Sequence, residues 1–146
     1  MEEAKIILLE NDPDHAELII DILKFEDIKN EIILVKDGQE AIEYFQKEKV
    51  NGSNVKQFKI GLVILDLNLP KVNGIDILKF LKSNPQYISI PVVVLSASSD
   101  EETISKAYSS GANDYITKPI YYEEFVEKIR VLMECQFSSK KLSILK

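Results

Sequence analysis

The sequence predicts an alternating α/β domain, with five parallel strands in one sheet and helices on both of its faces. Three observations carry that expectation. Short apolar runs of four to six residues recur without polar alternation, as strands buried on both faces require. Between them lie segments with apolar residues at helical spacing. At most junctions stand Asp, Ser, Pro or Gly, which start helices or turn the chain. Strict alternation of this kind leads to a parallel sheet, because parallel neighbours need a crossover and a helix supplies it.

The elements follow in order. Lys5 to Leu9 reads as the first strand, and Asp12 before Pro13 pairs an N-cap with a first-turn proline for a helix carrying Ala16, Ile19, Ile20 and Leu23. Ile32 to Val35 is the second strand. Asp37 with Glu40 resembles a capping box for a helix with Ala41, Ile42 and Phe45. Residues 50–59 are polar with one glycine and read as a surface loop. Ile60 to Leu65 is the most apolar run and stops at Asp66. After the Leu69-Pro70 turn, Ile75, Leu78 and Leu81 mark the third helix. Pro91 opens a fourth strand, Val92 to Leu95, ending at Ser96, and Ser99 with Glu102 reads as the capping box of the fourth helix. Asp114 to Thr117 forms the fifth strand, before Lys118-Pro119. A last helix carries Phe125, Ile129, Leu132 and Met133.

Composition narrows the function classes. The 146 residues suit one domain with a sizeable core, and 45 % apolar with 29 % charged residues is ordinary for a globular protein. No apolar run is long enough to span a membrane, and no basic-then-apolar start marks a secretory signal. The lone cysteine, Cys135, excludes an internal disulfide, so a cytoplasmic location is expected. A net charge of -6 disfavours a nucleic-acid partner. The single histidine, His15, rules out a multi-histidine metal site and reads as a helix-surface residue.

Ligands of open parallel sheets bind beyond the carboxyl ends of the strands. Those ends deliver Glu10 and Asn11, Asp66, Ser96 and Lys118. Each alone suits a cap or a turn, but together they place two carboxylates, a hydroxyl and an ammonium on one rim. Such a set suits phosphoryl transfer. A carboxylate can become an aspartyl phosphate, a divalent ion offsets the incoming charge, and a lysine and hydroxyl bind the remaining oxygens.

The segments Glu10-Asn11-Asp12-Pro13, Asp66-Leu67-Asn68-Leu69-Pro70 with Asn73-Gly74, Ser96-Ala97, and Gly111 through Pro119 resemble the signatures of two-component response-regulator receiver domains, over roughly residues 5–137. The pattern is closest to stand-alone receivers that partner phytochrome-like and hybrid histidine kinases. The resemblance implies a doubly wound, flavodoxin-like strand order 2-1-3-4-5. It implies a receiver over residues 1–137 and a short tail over 138–146 with no output domain. By the same resemblance Asp66 is the phosphoryl acceptor, with Lys118 and Ser96 as its catalytic partners. Mg2+ is held by Glu10, Asn11, Asp66 and the backbone carbonyl of Asn68, and Lys118-Pro119 is a cis peptide. Ser96 and Tyr115 are the switch pair. A protein of this kind catalyses only its own phosphorylation and dephosphorylation.

Asn11 departs from the pattern, since these domains usually carry two consecutive acids there. The loss of one charge implies weaker Mg2+ binding. Signal output must then leave through protein contacts. The fourth helix, last strand and last helix, with Tyr121, Tyr122, Val126 and the tail residues Leu142, Ile144 and Leu145, are candidates for a homodimer contact. Leu18, Ile22 and Phe25 form a second stripe on the first helix, fitting a wide core face or a kinase-docking face. The downstream protein is not named by the sequence. A phosphorylation-independent pseudo-receiver is the alternative reading. A flavodoxin-like enzyme or cofactor carrier is disfavoured, because no glycine-rich phosphate loop follows the first strand.

Overall fold

A computed structural model of the chain describes residues 4–50 and 60–145, with side chains over 4–47 and 60–134. Most of the loop expected over 50–59, the Cys135 thiol and the side chains of Leu142, Ile144 and Leu145 lie outside the described residues. Five strands alternate with five helices: β1 (Lys5–Leu9), α1 (Pro13–Phe25), β2 (Ile32–Val35), α2 (Gly38–Val50), β3 (Ile60–Asp66), α3 (Gly74–Lys82), β4 (Val92–Ser96), α4 (Glu101–Ser109), β5 (Asp114–Thr117) and α5 (Tyr122–Leu145). All strand pairs are parallel and the order is β2-β1-β3-β4-β5, as the resemblance implied.

The alternation of side chains along each strand builds two cores. In β1, Ile6 and Leu8 face a layer containing Ala16, Ile19 and Leu23 of α1 and Phe125 and Ile129 of α5. Ile7 and Leu9 face the opposite layer, with Phe45 of α2, Ile77, Leu78 and Leu81 of α3, and Ala107 of α4. The central strands β1, β3 and β4 are buried almost throughout, which accounts for their unbroken apolar runs. Each such fully buried aliphatic side chain contributes about 1.5–3 kcal/mol. Tyr87, buried after α3, donates from its hydroxyl to the Phe45 carbonyl at 2.6 Å and ties that segment to α2.

Helix starts mostly follow the expected chemistry. Asp12 caps α1 by accepting from the Asp14 and His15 N–H groups, and Asp37 accepts from the Glu40 N–H at 2.8 Å. The expected Ser99–Glu102 capping box at α4 is not formed. Asp100 occupies the cap position without a side-chain cap bond. The preceding turn is organised instead by Ser98, whose Oγ accepts from the Asp100 N–H at 3.1 Å, and the helix therefore starts one residue later. In α3, Ile77 is buried while Ile75 is only partly so.

The second stripe on α1 divides. Ile22 is core, whereas Leu18 is exposed and Phe25 is 80 % exposed, with its ring edge-on to Tyr122 at 6.2 Å. Tyr121 and Tyr122 are also exposed, while Val126 packs on the core. The backbone of α5 continues to Leu145, so the stretch expected as a tail from residue 138 prolongs the helix. No described helix is long and apolar enough to cross a membrane.

Candidate functional site

The charged residues expected at the site, Glu10, Asp66 and Lys118, sit where strands stop. Glu10 follows β1, and its N–H donates to the Val35 carbonyl of β2 at 3.0 Å, the last rung of that pair. One carboxylate oxygen, Oε2, accepts from the Asp12 N–H at 3.2 Å, so the turn that caps α1 also anchors Glu10. Asp66 is the last residue of β3, and its Oδ1 accepts from the Asn68 N–H at 2.8 Å. The following turn closes as the Gly74 N–H bonds the Leu67 carbonyl at 3.0 Å. Only glycine fits there, because a Cβ would lie 2.5 Å from Leu67 Cα and 2.9 Å from the Asp66 carbonyl oxygen. Lys118 follows β5, its N–H donating to the Ser96 carbonyl at 2.8 Å, and the Lys118-Pro119 peptide is cis, as expected.

These turns bring three charges together. Lys118 Nζ lies 2.6 Å from Asp66 Oδ2 and 3.1 Å from Glu10 Oε1. The carboxylates are buried, with Glu10 2 % and Asp66 4 % exposed. Two carboxylates share one ammonium, so with all three ionised the cluster carries a net negative charge. The consequence falls on Glu10. Burial, then its hydrogen bond to and charge repulsion from Asp66, push its carboxyl up from 4.5 to about 7, and Lys118 offsets this only in part. Burial works against the ammonium of Lys118. Asp66 and then Glu10 outweigh it and hold the lysine above its usual value.

The other expected residues are placed as follows. Asn11 is exposed beside Glu10, and the two share a cavity of about 260 Å³ with Pro13, Ala16 and Ile20. Asn68 and Ser96 line a cleft of about 690 Å³ between α3 and α4, together with Ala97 and Ser98. Ser96 Oγ accepts from the Ser98 N–H at 3.1 Å. Tyr115 points inward, 6 % exposed, and its hydroxyl donates to the Ser98 carbonyl at 2.7 Å. The loop after β4 is therefore held from both ends of the expected switch pair.

His15, expected as a helix-surface residue, does lie half-exposed on α1, but its role at the rim was not foreseen: its Nδ1 lies 3.1 Å from Lys118 Nζ. The available signal was position. A residue in the first turn of a helix that starts at the rim lies within reach of whatever the other strands deliver there.

Hard oxygen donors with a surplus of negative charge suit a divalent cation such as Mg2+ or Mn2+. Glu10 and Asp66 would offer such an ion carboxylates, and the Asn11 amide and the Asn68 backbone carbonyl are the neutral oxygens the sequence proposed beside them. Among the described residues no group of three or more His, Cys, Asp or Glu side chains is arranged to hold a metal.

A doubly wound sheet whose β3 aspartate meets a β5 lysine and a β1 glutamate defines the receivers of two-component signalling, and the chain belongs to that family: the model of the response regulator receiver domain matches residues 6–130. Receivers are signalling phospho-acceptors that bind a divalent metal. Among individual proteins, the response regulator Rcp1 of Synechocystis sp. is 35 % identical over 113 residues, covering 77 % of this chain and 75 % of Rcp1. The bacteriophytochrome response regulator RtBRR superposes with a TM-score of 0.76 at 36 % identity, over 90 % of this chain and 78 % of that one. A Mn2+-bound form of Rcp1 superposes with a TM-score of 0.69 at 32 % identity, over 89 % and 90 % of the two chains.

Proposed function

We propose that this chain accepts a phosphoryl group on Asp66 from the phosphohistidine of a sensor histidine kinase and passes the signal on by protein contacts. The observation that carries the reading is the convergence of Lys118 on Asp66 at 2.6 Å and on Glu10 at 3.1 Å. In the transfer an Asp66 carboxylate oxygen attacks phosphorus, the P–N bond of the donor breaks, and the departing imidazole keeps the electron pair and takes up a proton. Lys118 moves an N–H from the carboxylates to a phosphoryl oxygen, and Ser96 turns its hydroxyl from the Ser98 amide to another. Glu10, Asn11, Asp66 and the Asn68 carbonyl would hold Mg2+, which when bound would neutralise charge on the incoming phosphoryl group. Ser96 and Tyr115 act on one loop, through the N–H and the carbonyl of Ser98, so a new position for the serine hydroxyl alters the seat of the tyrosine. The altered surface is α4, β5 and the start of α5, and a second copy of the chain is a candidate to read it.

Likeness to a bacteriophytochrome response regulator supports a kinase of phytochrome-like or hybrid type. The net charge of -6 supports protein partners over nucleic acid, and the cytoplasm is the matching compartment. The test is intact mass after incubation with acetyl phosphate across a Mg2+ titration, with Asp66→Asn as control. One added phosphoryl group, absent from the control, is expected. No gain at any Mg2+ concentration, nor with a phosphorylated kinase domain, would leave a phosphorylation-independent binding module, which the neutral Asn11 favours.

A further inference from the structure

We propose that His15 is a positioning residue for Lys118, holding the ammonium at the rim through its Nδ1 lone pair. The inference rests on the phospho-acceptor reading of the same site. An ammonium has three N–H donors and no acceptor. The three neighbours of Lys118 Nζ are Asp66 Oδ2 at 2.6 Å, Glu10 Oε1 at 3.1 Å and His15 Nδ1 at 3.1 Å. Each N–H therefore has one partner, and the imidazole completes the set. The neutral ring with its proton on Nε2 presents Nδ1 as the acceptor this contact needs; a protonated ring would present a second cation instead. Among the described residues the other charged group near Nδ1 is Asp12 Oδ2, 3.7 Å away and beyond hydrogen-bond distance, so the lysine is the closer partner.

The three contacts differ in kind. Those to Glu10 and Asp66 join opposite charges and come from beneath, whereas His15 is uncharged in this role and comes from α1 with its side chain 44 % exposed. Phosphoryl transfer redistributes the carboxylate bonds, because Lys118 must give an N–H to the new oxygens on Asp66. The His15 contact does not take part in that exchange. It restricts a flexible four-carbon stem while the other two bonds change partners, which keeps the ammonium aimed at the acceptor.

The test compares wild type with His15→Leu, which removes the acceptor, His15→Asn, which restores an acceptor oxygen near Nδ1, and His15→Lys, which supplies a permanent cation. The first readout is the initial rate of phosphoryl gain from acetyl phosphate at saturating Mg2+. His15→Leu is expected to slow it by about three- to tenfold, the scale of one hydrogen bond to a charged group at a partly solvated site. His15→Asn should recover to within about twofold of wild type, because it keeps the acceptor. His15→Lys should be the slowest. The second readout needs no phosphorylation: reductive methylation of Lys118 by formaldehyde with cyanoborohydride as the hydride donor, normalised to the exposed Lys79 and read by mass spectrometry. It should rise in His15→Leu and return in His15→Asn. Wild-type rate and labelling in His15→Leu would overturn the proposal, as would His15→Asn behaving like His15→Leu. If wild type gains no phosphoryl group, the phospho-acceptor reading fails and the Lys118 labelling pattern alone decides whether His15 positions the lysine.

Discussion

Ionising Glu10 should cost the protein stability in the absence of divalent metal, and Glu10→Gln should relieve a cost that builds up as pH rises from about 4.5 to about 7. The carboxyl is 2 % exposed and shares Lys118 with Asp66, and its folded-state value is raised from 4.5 to about 7. A raised folded-state value means that the folded form binds more protons than the unfolded form between those limits. Stability from this group is complete below about pH 4.5 and is lost as pH rises through about 7. At about 1.4 kcal/mol per pH unit, the full loss is on the order of 3 kcal/mol. Lys118, held above the usual lysine value, stays charged across this range, so the effect isolates the carboxyl. Glutamine imitates the uncharged form at every pH. Urea unfolding of both proteins in EDTA, at pH 5 and pH 8, gives the comparison. The stability difference should move toward Glu10→Gln by about 2–3 kcal/mol between the two pH values. Saturating Mg2+ at pH 8 should shrink it, because a cation that binds the ionised native site stabilises wild type by mass action. A difference that stays constant with pH, or moves toward wild type, would refute the account of the cluster as two carboxylates short of cations.

Two further outcomes follow from the same turns. Asn11→Asp adds a negative charge beside Glu10 and should lower the Mg2+ midpoint of phosphoryl gain by about tenfold; an unchanged midpoint would mean that position 11 does not face the metal. Gly74→Ala should destabilise the fold by about 2–3 kcal/mol in thermal or urea unfolding, since its methyl would meet Leu67 Cα and the Asp66 carbonyl oxygen at 2.5 and 2.9 Å, and a neutral result would show that the turn gives way.

Much of this protein is legible in one dimension. Strand runs such as Ile6–Leu9 and Val92–Leu95 announce burial on both faces, because a central parallel strand has no solvent side on which to place a polar residue. Asp12 and Asp37 reveal helix starts because their side chains satisfy backbone donors within three residues, an interaction local enough to leave a sequence pattern. The rim residues Glu10, Asp66, Ser96 and Lys118 are readable because each stands at or just past the end of a strand, and a parallel sheet gathers all such ends at one edge.

What escaped the sequence was decided between elements. Ser98 and Asp100 displaced the capping box expected at Ser99, because the loop is also committed to Ser96 and Tyr115 from neighbouring strands. Leu18 and Phe25 remain exposed while Ile22 is buried, although all three share the character of a core stripe; where α5 lies against α1 determined that division. His15 is 103 residues from Lys118 along the chain, and no local rule relates them. The raised carboxyl of Glu10 likewise depends on an aspartate and a lysine delivered by other strands. The sequence by itself determined which residues would stand at the ends of the strands, since burial and capping act over a few residues. Only the tertiary structure decided which of them share a proton, a charge or a lysine, because those energies depend on distances of about 3 Å that crossovers set between remote segments.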